Sequence, residues 1–156
     1  MLAKSYLTIV VVTWNGSRYI GNCLESIAYS LKEDGLEAEI IVLDNGSSDA
    51  KTTIKLSDSL GAYTMMFDRN MGVSFAWNEA VKKSRGTNIV FVNQDVEMLP
   101  GSLSAIIELL IRNKSPIAVG AKLYFPNSRI IQHAGGEIFF PRCNTKHTGY
   151  LQNDVG

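Results

Sequence analysis

Thr87-Asn88-Ile89-Val90-Phe91-Val92-Asn93-Gln94-Asp95-Val96-Glu97-Met98-Leu99-Pro100 joins an apolar run to three consecutive polar side chains. Bounded by Gly86 and Pro100, the run reads as a strand buried on both faces of a parallel sheet. In open α/β sheets ligands gather beyond the carboxyl ends of the strands, so the polar end is the place for chemistry. Period-two alternation puts Asn93 and Asp95 on one face there. An amide and a carboxylate at that spacing offer oxygen lone pairs to a hard divalent cation or to a ribose. An ordinary turn after a strand is equally polar, so the reading depends on whether other strand ends converge with this one.

Outward from this stretch, strands and helices alternate. Leu7–Val12 is β-branched and unalternating, a central parallel strand. It ends in Thr13-Trp14-Asn15-Gly16-Ser17, where Asn, Gly and Ser turn the chain and cap the next helix. Ile20, Cys23, Leu24, Ile27 and Leu31 recur at helical spacing up to Asp34-Gly35. Glu39–Leu43 is the second strand, closing on Asp44-Asn45-Gly46-Ser47-Ser48-Asp49, with Ser47 or Ser48 as helix cap. A short helix through Leu56 and Leu60 stops at Gly61, and Tyr63–Phe67 is the third strand, followed by the loop Asp68–Gly72. Val73, Ala76, Trp77, Ala80 and Val81 then line one side of a helix that ends at Arg85-Gly86. Beyond the central stretch, Ser102 opens a helix with Leu103, Ile106, Ile107, Leu110 and Ile111 facing the core, and Pro116 blocks its continuation.

Four such alternations predict an α/β, doubly wound, mainly parallel sheet. The last third differs: Ile117–Tyr124, Arg129–His133 and Glu137–Phe140 read as strands without helices between them, a mixed edge or small antiparallel flap. We therefore expect one domain over 1–156, with βα units over 5–115 and edge strands over 116–156.

Composition narrows the function. At 156 residues, 46% hydrophobic and 19% charged, the chain matches an ordinary globular domain. Its formal charge is zero, which gives no global field for nucleic acid or an anionic membrane. Lys122, Arg129, Arg142 and Lys146 make the C-terminal part locally basic, the pattern of a solvated surface. Cys23 and Cys143 are too few for a disulfide framework or zinc site and fit a reducing compartment. Lys4 before the apolar run Leu7–Trp14 imitates a secretory signal, but no small-residue cleavage site follows. The run is far short of the roughly 20 residues that cross a bilayer.

Parallel topology puts four polar clusters on one sheet edge: Thr13-Trp14-Asn15, Asp44-Asn45, Asp68 to Gly72, and Asn93-Gln94-Asp95. No G-x-G-x-x-G follows the first strand and no G-x-x-x-x-G-K-[ST] occurs, which argues against a nicotinamide-binding half and removes the P-loop enzymes. Lacking a glycine cradle, the site would hold phosphate charge through a metal, with Asp95 as ligand. Asp44 can accept a hydrogen bond from the imide N–H of uracil or thymine. Trp14 can stack on a base or belong to the core; His133, near the edge flap, could approach a diphosphate, though a lone His is more often structural, and His147 shows no partner pattern.

The stretches Val11–Asn15, Ile41–Asp49, Asn70–Gly72 and Val90–Asp95 resemble, in order and spacing, the nucleotide-binding half of the GT-A glycosyltransferases, a Rossmann-like fold. The likeness covers about residues 5 to 140 and points to family 2, in particular its rhamnosyltransferase-like group. It implies inverting transfer of a sugar from a UDP- or dTDP-sugar to an acceptor hydroxyl, assisted by Mg or Mn. It also implies a glycan or lipid-linked acceptor, no nucleic-acid partner, and a cytoplasmic site of action at the inner membrane face with peripheral association.

Carried over by resemblance, Thr13, Trp14 and Asn15 lie in the first nucleotide-contacting loop, Asp44 and Asn45 beside the base, Asn70 and Gly72 in a loop approaching the nucleotide, and Asn78 on the helix behind it. Asn93-Gln94-Asp95 stands at the family's D-x-D, with Asn93 toward the ribose and Asp95 on the metal. With Asn in place of the first Asp, metal binding depends on Asp95 and the donor diphosphate together. The family's catalytic base has no counterpart before Gly156, and neither Glu137 nor Asp154 has the matching context. We expect the chain to be the donor-binding portion of a longer enzyme, with the base beyond Gly156. The alternatives are a noncatalytic nucleotide-sugar-binding module and a sugar nucleotidylyltransferase, the latter disfavoured by the missing glycine-rich, Arg-containing loop.

Overall fold

The computed structural model describes residues 7–113 and 118–155. The chain divides into two compact units, Met1–Ala105 and Ile106–Gly156.

The first unit carries β1 (Leu7–Thr13), α1 (Ile20–Glu33), β2 (Ala38–Asp44), α2 (Ala50–Ser59), β3 (Tyr63–Met66), α3 (Val73–Lys83), β4 (Asn88–Asn93) and the start of α4 (Ser102–Arg112). Its four strands form one parallel sheet in the order β3-β2-β1-β4, as the alternating pattern requires. β1 is central, and its Ile9, Val10 and Val11 are fully buried, so an unalternating β-branched run is what this position selects. Val10 pairs with Ile41 and Val12 with Leu43 in register. On that face they pack with Ala76 and Ala80 of α3, and Met65, Phe67, Trp77 and Ile89 close the cluster.

The path β1→β2→β3 moves one way across the sheet, and β4 returns to the other side of β1. Right-handed crossovers put α1 and α2, which pack together, on the face opposite α3. The strand order reverses between β1 and β4, so the carboxyl ends of these two strands frame a crevice.

Several expectations change. β4 is an edge strand, so it is not buried on both faces: Phe91 is 46% exposed and lies on Trp77, ring centroids 5.2 Å apart. Val73 and Val81 of α3 are also exposed, and the helix buries only Ala76 and Ala80. Of the expected core positions of α4 only Leu103 is buried, and Ile111 is exposed; the boundary between the two units falls within this helix, after Ala105. Neither Ser47 nor Ser48 caps α2, whose N-cap is Asp49. No side chain caps α1 either. Asp34, after α1, caps α4 instead, accepting from the Gly101 N–H at 2.6 Å and the Ser104 N–H at 3.0 Å.

In the second unit, β5 (Leu123–Tyr124) pairs antiparallel with β6 (Ile131–His133), and β7 (Gly136–Phe139) with β8 (Asn144–His147). These two small antiparallel sheets are the expected flap. The long strand expected over 117–124 contracts to β5, while Pro116 and Ile117 lie outside the described residues, as does Lys4. β8 went unforeseen because Asn-Thr-Lys-His carries no apolar alternation. Lys122 is bound by Asp154 at 2.8 Å. Cys23 and Cys143 are both free thiols. No helix among the described residues is long and apolar enough to cross a membrane.

Candidate functional site

At the switch point of the first unit, a cleft of about 260 Å³ is lined by Thr13, Trp14, Asn45, Asn70, Asn93 and Asp95, together with Val12, Val73 and Gln94. Six of the ten residues singled out from sequence thus meet in one place. Asp95 lies in the turn after β4, outside the strand. Strand alternation therefore does not set its direction, yet both it and Asn93 are exposed and line the cleft.

Gln94 is the residue that sequence reasoning undervalued. Its Oε1 accepts the Thr13 hydroxyl at 2.5 Å and the Trp14 N–H at 2.9 Å, which joins the loop after β1 to the loop carrying Asp95. The contact is tight enough that a Cβ on Gly16 would stand 2.1 Å from that oxygen. The only sequence hint was a glycine facing a polar strand end. Trp14 is left 51% exposed, so it belongs to the cleft wall and not to the core.

The other loops are held by amides. The Asn45 Oδ1 accepts the Met71 N–H at 2.9 Å, and its Nδ2 donates to Asn70 Oδ1 at 3.1 Å. Asn70 Oδ1 also accepts the Gly72 N–H at 2.8 Å. Gly72 (φ 86°) is the N-cap of α3, a left-handed position that glycine fills without Cβ strain. Gly46 (φ 79°) lets the second loop touch the third: a Cβ there would meet the Arg69 backbone at 2.3 Å.

Asn15, Gly72, Asn78 and Asp44 are not on the cleft wall. Asn15 braces loops: its N–H donates to Ser47 Oγ, and its Oδ1 accepts from the Ser48 N–H and hydroxyl. This is why the serines are not caps. Asn78 is exposed on α3. Asp44, expected beside the base, is absent from the cleft lining. It is fully buried, and its Oδ1 accepts the Ser47 N–H at 2.7 Å while Oδ2 is buried without a partner. The carboxylate thus shapes the Gly46-Ser47 turn, and the neighbouring Asn45 reaches the cleft.

Two further carboxyls are set by their contacts. Asp49 accepts the Ser17 N–H at 3.0 Å, and its hydrogen bonds to Ser17 hold its carboxyl below the usual range. Beneath the Asp95 turn, burial together with the charges of Asp95 and Glu97 pushes the Cys23 thiol up to about 12. It stays protonated, with its sulfur 3.5 Å from the Asn93 carbonyl, and supplies no thiolate ligand.

No group of three or more His, Cys, Asp or Glu that could hold a metal occurs among the described residues. Asp95 is the cleft's one carboxylate. One carboxylate and an amide oxygen fit a hard cation that draws its other ligands from phosphate and water, the habit of Mg and Mn with nucleotides. A larger groove of about 440 Å³, lined by Met66, Phe67, Asp68, Arg69, Met71 and Phe75, opens on the β3 side and has mainly apolar walls.

Comparison with known proteins bears on the family and the fold. An uncharacterised protein of Sinorhizobium fredii, y4gI, is 36% identical over 129 residues, covering 72% of this chain and 14% of that protein. The glycosyltransferase GlyA of Streptococcus pneumoniae is 26% identical over 130 residues, covering 82% of this chain and 18% of that protein. The chain therefore spans only a small part of these relatives' length. Among solved structures, S. aureus TarS 1–349 in complex with UDP superposes with a TM-score of 0.59 at 21% identity, over 80% of this chain and 39% of that one. Glucosyl-3-phosphoglycerate synthase from Mycobacterium tuberculosis, in complex with Mn2+, UDP and glucosyl-3-phosphoglycerate, gives 0.57 at 22% identity, over 69% and 40%. These likenesses place the fold among the GT-A glycosyltransferases. The family model for glycosyl transferase family 2 matches residues 8–154, and the chain belongs to that family.

Proposed function

We propose that the chain is the donor-binding portion of a glycosyltransferase, and that its cleft takes a UDP- or dTDP-sugar together with Mg or Mn. The observation that carries this reading is the meeting of Trp14, Asn45, Asn70, Asn93 and Asp95 at the switch point with a single carboxylate. In this reading Asp95 would help hold a divalent cation, which would offset the charge of the donor diphosphate. Asn93 faces the ribose. Trp14 offers an aromatic face for the base, and Asn45 offers the amide lone pair and proton that Asn70 and Met71 leave over. Asp44 acts behind the wall, fixing the turn that presents Asn45.

The whole enzyme would pass a hexosyl or rhamnosyl group, with inversion, to a hydroxyl of a glycan or lipid-linked acceptor in polysaccharide or cell-envelope synthesis at the cytoplasmic membrane face. The general base that such a displacement needs would come from a segment beyond Gly156. A nucleotide-sugar-binding module without turnover is the second reading, favoured by Asp95 being the only ionisable side chain lining the cleft. Calorimetric titration with UDP and dTDP, each with and without Mn2+, tests the proposal. Metal-dependent binding that Asp95→Ala removes is expected; binding indifferent to both the metal and Asp95 would refute the assignment.

A further inference from the structure

The chain has only two histidines, and both belong to the second unit. His133 ends β6, and His147 ends β8. Fourteen residues apart in sequence, they meet with Nδ1 atoms 3.3 Å apart and rings inclined at 73°.

Backbone pairing brings them together independently of the rings. His147 is opposite Gly136 in the β7–β8 register. A Cβ on Gly136 would stand 2.7 Å from the Lys146 carbonyl oxygen, so the strands close tightly just where His147 leaves the ladder. The Thr148 N–H donates to the Gly135 carbonyl at 3.0 Å. On the other side, Ile131 exchanges hydrogen bonds with Leu151 and Gln152, and the methyl of Ile131 nearest Gly149 would lie 2.9 Å from a Cβ placed there. The Tyr150 ring flanks His147 at 6.1 Å. The site is thus placed by its scaffold, which limits the ordering that binding would require.

Two neutral imidazoles facing through Nδ1 can share only one proton, since one ring must donate and the other accept. A cation can replace that proton and use both lone pairs. In a tetrahedral site with metal–nitrogen bonds of about 2.0–2.1 Å, adjacent ligand atoms are about 3.3–3.4 Å apart, which is the separation present here. Imidazole nitrogen selects zinc, nickel, copper and cobalt over magnesium and calcium. Lys146 precedes His147 and pairs with Glu137, so alternation turns both toward the other face of the hairpin. Lys122 is committed to Asp154.

We propose that His133 and His147 chelate a divalent transition-metal ion of the zinc class through their Nδ1 atoms. Two positions remain for water or an anionic oxygen ligand, since no third metal-ligating side chain joins the pair among the described residues. The site does not depend on Asp95 or on the nucleotide.

The test is a titration of the full chain with Zn2+, followed by the 1H and 15N shifts of both imidazoles, with Co2+ in parallel for its visible bands. One equivalent should move both rings together at Nδ1, and Co2+ should give the intense absorption of a tetrahedral site. His133→Gln and His147→Gln should each weaken binding by about tenfold or more, while Asp95→Ala leaves it unchanged. Because the ring shifts are read on the unaltered protein, they decide the matter even if a variant folds poorly. Ring shifts unmoved by metal, meaning a hydrogen-bonded pair only, would overturn the proposal. So would affinity that survives either histidine substitution.

Discussion

The two edges of the parallel sheet use charge in opposite ways. At the amino edge, the Glu39 carboxylate accepts the Thr8 hydroxyl at 2.8 Å, the Arg85 N–H at 2.9 Å and the Arg85 Nε–H at 2.8 Å. The Gly86 N–H completes the knot on Thr8 Oγ1 at 2.9 Å. Its charge is answered within the protein. At the carboxyl edge the loops that line the cleft are joined by neutral groups, with Gln94 to Thr13 and Trp14 and Asn45 to Asn70 and Met71. The carboxylates Asp44 and Asp49 brace turns behind the wall. Asp95 alone brings charge into the cleft. One edge spends its ionic groups on the fold, and the other keeps one for a ligand.

The largest effect should come from the close approach of loops behind the cleft. Gly46→Ala combines a left-handed φ with a backbone contact at 2.3 Å and should cost about 2–4 kcal/mol, read as a lower urea midpoint. Next is the amino edge, where Glu39→Ala removes the acceptor of the buried Thr8 hydroxyl and of two exposed Arg85 donors and should cost about 1 kcal/mol without changing nucleotide affinity. Burial alone would raise the Glu39 carboxyl, but bonds from the Arg85 N–H, the Thr8 hydroxyl and the Arg85 guanidinium outweigh it and hold the group below the usual glutamate range. Its folded value is depressed, so its stabilising contribution is complete above the unfolded glutamate pKa, about 4.3. That contribution is lost as pH falls through the lower folded value. Urea midpoints measured between pH 7 and pH 3 should fall less steeply in Glu39→Gln.

Gln94→Ala should cost about 1 kcal/mol of stability, weaken nucleotide binding several-fold and change Trp14 emission, because it unties the aromatic loop from the Asp95 turn. Asp95→Ala should change stability least, within about 0.5 kcal/mol, while removing the metal dependence of binding. An Asp95 variant that melts early, or a Glu39 variant that binds poorly, would erase the contrast between the edges.

Much of this was legible in the residues. The β-branched run of β1 and the 3.6-residue period of α1 fixed strand and helix, and four polar strand ends located the cleft. Local patterns do not carry neighbour relations, and those account for the misreadings. β4 looked doubly buried because its composition is apolar, but sheet order leaves Phe91 at an edge. Asp44 and Asn45 are adjacent in sequence and both buried, and only the fold decides that the amide lines the cleft while the carboxylate does not. Ser47 and Ser48 suit helix caps until Asn15, thirty-two and thirty-three positions away, claims them. The two histidines had no spacing signal because hairpin register, not sequence, brings them together.

The most direct test of the contrast is Mn2+ binding by electron paramagnetic resonance, with and without UDP, on the unaltered chain, Asp95→Ala and Glu39→Gln. The account predicts weak Mn2+ binding alone, much tighter binding with UDP, loss of that gain in Asp95→Ala and its retention in folded Glu39→Gln. Tight Mn2+ binding that needs no nucleotide, or a UDP-dependent gain that survives Asp95→Ala, would contradict it.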